Sequence, residues 1–153
     1  MAHTKIVALA VALSVLACAW ASHAQNVPTL SAGAYTNDQA DRGFMKYMQT
    51  CSRCHGADLQ GLEAPPLSGG AFMQRWQGKY VGELFEHTLD FMPADQPKTL
   101  DAKTVADLMA YVLQFNGYPA GDADLPSDMA ALGGLRMEAL PRRTGGGAQV
   151  VDH

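Results

Sequence analysis

Cys51-Ser52-Arg53-Cys54-His55 sets two thiols three residues apart, with an imidazole directly after the second. That spacing suits covalent capture of a porphyrin. Each thiol can bond one vinyl group, and the adjacent histidine then lies beneath the iron as a ligand, which is the attachment pattern of haem c. Gly56 follows, and lets the backbone leave a crowded haem face without a side-chain clash. A redox dithiol, a zinc site and a structural disulfide use the same residue types. Zinc needs about four ligands, usually from two such pairs, and the one other cysteine, Cys18, lies far upstream. A thioredoxin-like dithiol belongs beside a βαβ pattern, and none is visible.

A haem iron with one protein imidazole has a sixth position to fill. Its occupant separates electron carriers from oxygen binders and enzymes. Seven methionines follow the initiator. Met45 and Met48 sit too close before the motif to reach the far haem face. Met109 belongs to an apolar helix stripe, Met73 and Met129 lack a restraining context, and Met137 reads as tail. Met92 lies 37 residues after His55, beyond a short helix, with Pro93 stiffening its loop. On spacing alone it is either the ligand or a buried gap-filler. His87, close to Glu83 and Glu86, reads as a solvated surface histidine. Trp76 reads as an aromatic core anchor, although its indole N–H and the neighbouring Arg75 could meet a haem propionate.

The elements around these residues are helical. Asn37 or Asp38 could cap a helix running to about Cys51, with Phe44, Tyr47 and Met48 on one face. Gly61 to Gly70 reads as a loop, blocked from regular pairing by Pro65-Pro66. Ala71 to Trp76 suggests a helical turn, and Val81 to Leu89 a short helix with Leu84, Phe85 and Thr88 inward. Asp101 looks like the cap of a longer helix to Phe115, striped by Val105, Leu108, Met109 and Val112. Asn116-Gly117 then stops it. Residues 25–36 are expected to be a flexible leader, 119–143 an extended C-terminal strap, and 144–153 a disordered tail.

Residues 1–24 have the pattern of a secretory signal peptide: Lys5, an apolar run from Ile6 to Ala19, and a small-x-small site at Ser22-His23-Ala24. The run is short for a permanent membrane span. A lipoprotein acylated at Cys18 is the alternative, poorly matched at Leu16. Export fits, because haem c is attached outside the bacterial inner membrane, and the expected address is the periplasm. The remaining chain carries fifteen acidic against ten basic residues. It lacks the basic stripe of a nucleic-acid binder. Its four lysines, Lys46, Lys79, Lys98 and Lys103, suggest an apolar docking patch near Leu62 to Leu67 and the Met92 loop, with shallow salt dependence.

Taken together, Gly43, Tyr47, the haem motif, Pro65-Pro66-Leu67-Ser68-Gly69, Met92-Pro93 and Ala106 to Tyr111 resemble the class I cytochrome c family. The resemblance implies an all-α class I cytochrome c fold over residues 37–118, with three to four helices wrapped around one covalent haem. It puts Gly43 and Tyr47 of the N-terminal helix against Leu108 and Tyr111 of the C-terminal one. It also implies Cys51 and Cys54 as thioether residues, His55 and Met92 as axial iron ligands, and a carbonyl from Pro65, or else Pro66, on the histidine's Nδ1–H. Pro65, Leu67, Trp76 and Phe85 would line the haem pocket.

A narrower resemblance over residues 40–128 is to mono-haem cytochromes paired with, or fused to, periplasmic quinoprotein (PQQ) alcohol dehydrogenases. It rests on Gly61 to Leu67, Phe72 with Trp76, Leu84-Phe85 and Tyr111 through Gly121. This implies a non-enzymatic carrier of single electrons, from a periplasmic dehydrogenase towards a terminal oxidase or another cytochrome. The alternative is a haem enzyme, a peroxidase or gas-reactive protein, with a weakly ligated sixth position.

Overall fold

The computed structural model describes residues 29–139; the signal-peptide pattern, Cys18 and the expected tail lie outside them. Four helices dominate: α1 (Asn37–Thr50), α3 (Gly69–Trp76), α4 (Val81–Phe91) and α5 (Ala102–Phe115). Single turns form α2 (Ser52–His55) and α6 (Met129–Leu132). Among the described residues the only strand-like pairing is an isolated antiparallel bridge between Tyr80 and Arg136. The architecture is the all-α class I cytochrome c fold.

The main helix contact is the crossing of α1 over α5. Gly43 permits it. A Cβ placed there would lie 1.9 Å from the carbonyl oxygen of Asp107, which no side chain can tolerate. Tyr47 packs beside the crossing, its ring 5.3 Å from that of Tyr111. The buried face of α1 is therefore Gln39, Ala40, Gly43 and Tyr47. Phe44 and Met48, expected on the same face as Tyr47, are 42% and 41% exposed. Backbone proximity selects small residues at the crossing, and hydrophobicity alone does not register that choice.

Local signals set most helix ends. Thr36, not Asn37 or Asp38, caps α1, its hydroxyl accepting from the Gln39 N–H at 3.1 Å. Asp101 caps α5 as expected, through the Thr104 N–H at 2.9 Å. Gly117, at φ +88°, ends it. The Asn116 side chain then holds the preceding loop, donating to Leu67 O at 2.9 Å and accepting from Gly69 N at 3.0 Å.

The leader corrects the sequence expectation of flexibility, while the strap runs extended as expected but is firmly packed. The described part of the leader is packed: Leu30 and Tyr35 are buried, and the Tyr35 hydroxyl donates to the Tyr118 carbonyl. The strap is equally engaged. Gln39 pairs with Leu125 through both its amide groups, at 3.0 and 2.6 Å. Leu132, Leu135 and Met137 are buried, so Met137 is core rather than tail. Backbone bonds from Gly78 N to Met137 O, Met137 N to Lys79 O and Val81 N to Leu135 O dock the strap on the start of α4. The strap is extended except for the turn of α6.

Candidate functional site

The motif forms at the end of α1. Cys51 closes that helix through its N–H to Tyr47 O at 2.8 Å, and bonds from Cys54 N and His55 N to Cys51 O wind the motif into α2. Gly56 follows at φ +83°, where a Cβ would strike the Gln60 side chain. Its carbonyl accepts from the Tyr47 hydroxyl at 2.6 Å. One buried tyrosine thus anchors both the helix crossing and the exit from the motif.

The next loop folds back on the motif through Gly61 N to His55 O and through Leu62 N and Ala64 N to Cys54 O. This return brings the Pro65 carbonyl to 2.8 Å from His55 Nδ1. A carbonyl can only accept, so Nδ1 carries the proton and Nε2 is left with a free lone pair for a metal. Pro65, rather than Pro66, supplies that oxygen.

Cys51, Cys54 and His55 open onto a cavity of about 480 Å³, within the range of cofactor pockets. Pro65, Leu67, Trp76 and Met92 also line it, as do Arg75 and Asp95. Phe85 does not. It is buried behind the wall, and α4 turns Leu84, His87 and Thr88 to the cavity instead. Those three positions stand at i, i+3 and i+4, the spacing of one helix face. Phe85, which the resemblance puts in the pocket, faces the core side of α4 instead. His87 is likewise no solvated residue: it is half-buried, with its ring 6.1 Å from Trp76 and 5.3 Å from Phe91.

Two methionines among the described residues reach the cavity wall, Met92 and Met109. Met73 is turned away, its sulfur 4.0 Å from the Tyr118 hydroxyl. Met109 belongs to the apolar stripe of α5, as its spacing predicts. The stripe itself forms a wall of the cavity, with Leu108 and Val112.

Burial pushes the Cys51 thiol up to about 11. Reactive dithiols and zinc thiolates need the opposite shift. Among the described residues no group of three or more His, Cys, Asp or Glu side chains could hold a metal ion, which leaves zinc without its ligands. Haem c fits better: two thiols and an oriented imidazole on one turn, apolar walls, and thioether sulfurs on the same cavity.

The comparisons agree with this geometry. Residues 38–112 match the family described as cytochrome C oxidase, cbb3-type, subunit III. The chain is also 33% identical over 96 residues to cytochrome c-551 of Bacillus subtilis (strain 168), covering 63% of this chain and 80% of that protein. No solved structure matches it significantly. The chain belongs to the c-type cytochromes, electron-transfer proteins that hold haem c covalently.

Proposed function

We propose that this chain is a periplasmic mono-haem electron carrier, with His55 and Met92 as axial iron ligands and Cys51 and Cys54 as the thioether residues. Haem c supplies a one-electron couple between Fe(III) and Fe(II). The protein's part is to hold that couple in a fixed setting. His55 is oriented by Pro65. Met92 offers a soft sulfur, which favours the reduced iron and raises the potential relative to a second imidazole. The observation that carries the reading is the opening of the two thiols, the oriented imidazole and Met92 onto one cavity.

Export is supported by the pattern of residues 1–24. No helix among the described residues is long and apolar enough to cross a membrane. The donor in this reading is an exported dehydrogenase, as the resemblance to quinoprotein-linked cytochromes suggests. The acceptor is a terminal oxidase or another cytochrome, and the oxidase-subunit description of the matching family supports that direction. A haem enzyme is the second reading. Its support is His87 on the cavity wall, where an acid–base group would stand if the sixth position were open.

A visible spectrum of the oxidised protein separates the two. A weak band at the red edge, lost on reduction, is expected from bonding between iron and methionine sulfur; a high-spin spectrum would favour the enzyme. Covalent attachment is read on a denaturing gel stained for haem. Replacing both Cys51 and Cys54 by Ala should abolish the stain, and normal staining of that variant would overturn the assignment.

A further inference from the structure

Eight Lys and Arg side chains fall among the described residues. Four stand within ion-pair distance of a carboxylate: Arg42, Arg53, Lys98 and Lys103. The other four are Lys46, Arg75, Lys79 and Arg136, and three of these gather on two aromatic rings. The Arg75 guanidinium lies 5.4 Å from the centre of the Trp76 ring, and the Lys79 ammonium 5.0 Å from it. Arg136 lies 5.0 Å from the centre of the Tyr80 ring and donates to its hydroxyl at 3.1 Å.

Arg136 arrives from the far end of the chain. The strap carries it through its bridge to Tyr80, fixed on either side by the bonds of Met137 and Leu135 to residues 78–81. Arg75, Lys79 and Arg136 are all exposed, and Arg75 and Trp76 also line the cavity. The nearest carboxylate in sequence, Glu83, is occupied with the Tyr80 N–H at 3.0 Å.

We infer that Arg75, Lys79 and Arg136 form the docking site for an electron-transfer partner protein presenting a cluster of carboxylates. Stacking on a ring holds a cation in place while leaving its charge and its hydrogen-bond donors free. Guanidinium forks suit carboxylates, so such a patch orients a partner as well as attracting it. In a chain that is acidic overall, a local positive feature beside the cavity steers an acidic surface towards the haem and repels it elsewhere. A polyanion such as nucleic acid would meet that repelling body over most of its length. The expectation of shallow salt dependence came from counting lysines. It left out two arginines, and it could not see which cations are already paired.

The inference rests on the electron-carrier reading, and its test separates the two. Reduced holoprotein is oxidised in a stopped-flow instrument by hexacyanoferrate(III), which takes one electron from the haem and becomes hexacyanoferrate(II). Cationic tris(phenanthroline)cobalt(III) serves as the opposite probe. At low ionic strength Lys79→Glu and Arg136→Glu should each slow hexacyanoferrate about three-fold or more and speed the cobalt complex, with the differences fading in high salt. Lys46→Glu, the same charge change on α1, should have less than half that effect. A decaglutamate peptide, by covering the same cations, should slow oxidation of the wild type by hexacyanoferrate(III), and should do so far less in Lys79→Glu.

Equal effects at all three positions would mean that net charge alone sets the rate, and would overturn the inference. So would peptide protection unchanged by Lys79→Glu, or binding confined to anionic lipid vesicles. Lys79→Gln and Arg136→Gln give the same comparison, at about half the effect, should the Glu variants fail to fold. Failure of the carrier reading looks different: the wild type itself would show no reversible one-electron reduction of a covalent haem.

Discussion

The two sides of the cavity are built in opposite ways. On the side of Cys51, Cys54 and His55, everything that fixes the chemistry is close in sequence: the end of α1, the turn of α2, and a return loop that reaches Pro65 ten residues after the histidine. On the other side, Met92 ends a helix whose start is pinned by residues 135–137. In the proposed reading the first side attaches by covalent bonds and needs little long-range support. The second would supply a weaker donor, so its placement depends on the packing of α4, α5 and the strap. Assembly should therefore depend on the first side and potential on the second.

The largest expected effect breaks the element both sides share. Gly43→Val puts a branched side chain where even a Cβ would lie 1.9 Å from the Asp107 oxygen. The helices must separate, at a cost of about 3 kcal/mol or more. Guanidinium denaturation followed by circular dichroism should show the midpoint falling steeply. Covalent haem should still be found on chains that escape degradation, because the motif is untouched. A stable Gly43→Val variant with unchanged helix content would refute the crossing.

The next effect separates the two methionines of the cavity wall. Met92→His should keep a low-spin spectrum and lower the midpoint potential, because imidazole stabilises Fe(III) better than thioether does. Met109→Leu conserves volume in the α5 stripe and should cost less than about 1.5 kcal/mol of stability. It should leave the red-edge band in place. Loss of that band in Met109→Leu, with its retention in Met92→Ala, would move the sixth ligand to α5.

What could be read from the sequence follows the same division. The haem motif, the cap at Asp101 and the stop at Asn116-Gly117 are short patterns whose chemistry is local, whereas the Gly43 crossing was legible only through the family resemblance. The strap is not such a pattern. Leu125, Leu132, Leu135 and Met137 stand seven, three and two residues apart in a segment rich in Gly, Asp and Pro, so the sequence reads as an extended strap without showing that each anchor is buried. The irregular spacing is itself the trace: large apolar residues at uneven intervals mark a chain that wraps a core with little regular structure, here only the turn of α6 and one bridge. His87 was misread for a related reason. Its acidic neighbours on the outer face of α4 suggested solvent, while the ring turns to Trp76 and the cavity.

The smallest predicted effect concerns how the strap is fastened to the leader. The Glu138 carboxylate accepts from both the side-chain hydroxyl and the backbone N–H of Ser31. These bonds hold its pKa below the usual range for glutamate, with the side-chain bond contributing more. The fold therefore prefers the ionised form. That preference stabilises the protein in full above the unfolded-state value of about 4.3, and is lost as pH falls through the depressed folded value. Glu138→Gln keeps an acceptor oxygen but no charge, so its deficit in melting temperature should be small and should shrink as the pH falls below the unfolded-state value of about 4.3. The readout is thermal denaturation on either side of that value, with the haem spectrum as a second probe. A deficit of the same size at every pH would mean that the contact acts through shape alone, and that the strap is held at this end by the Tyr118 hydroxyl, which donates to the Glu138 carbonyl, and by the Met137 backbone bonds rather than by the carboxylate.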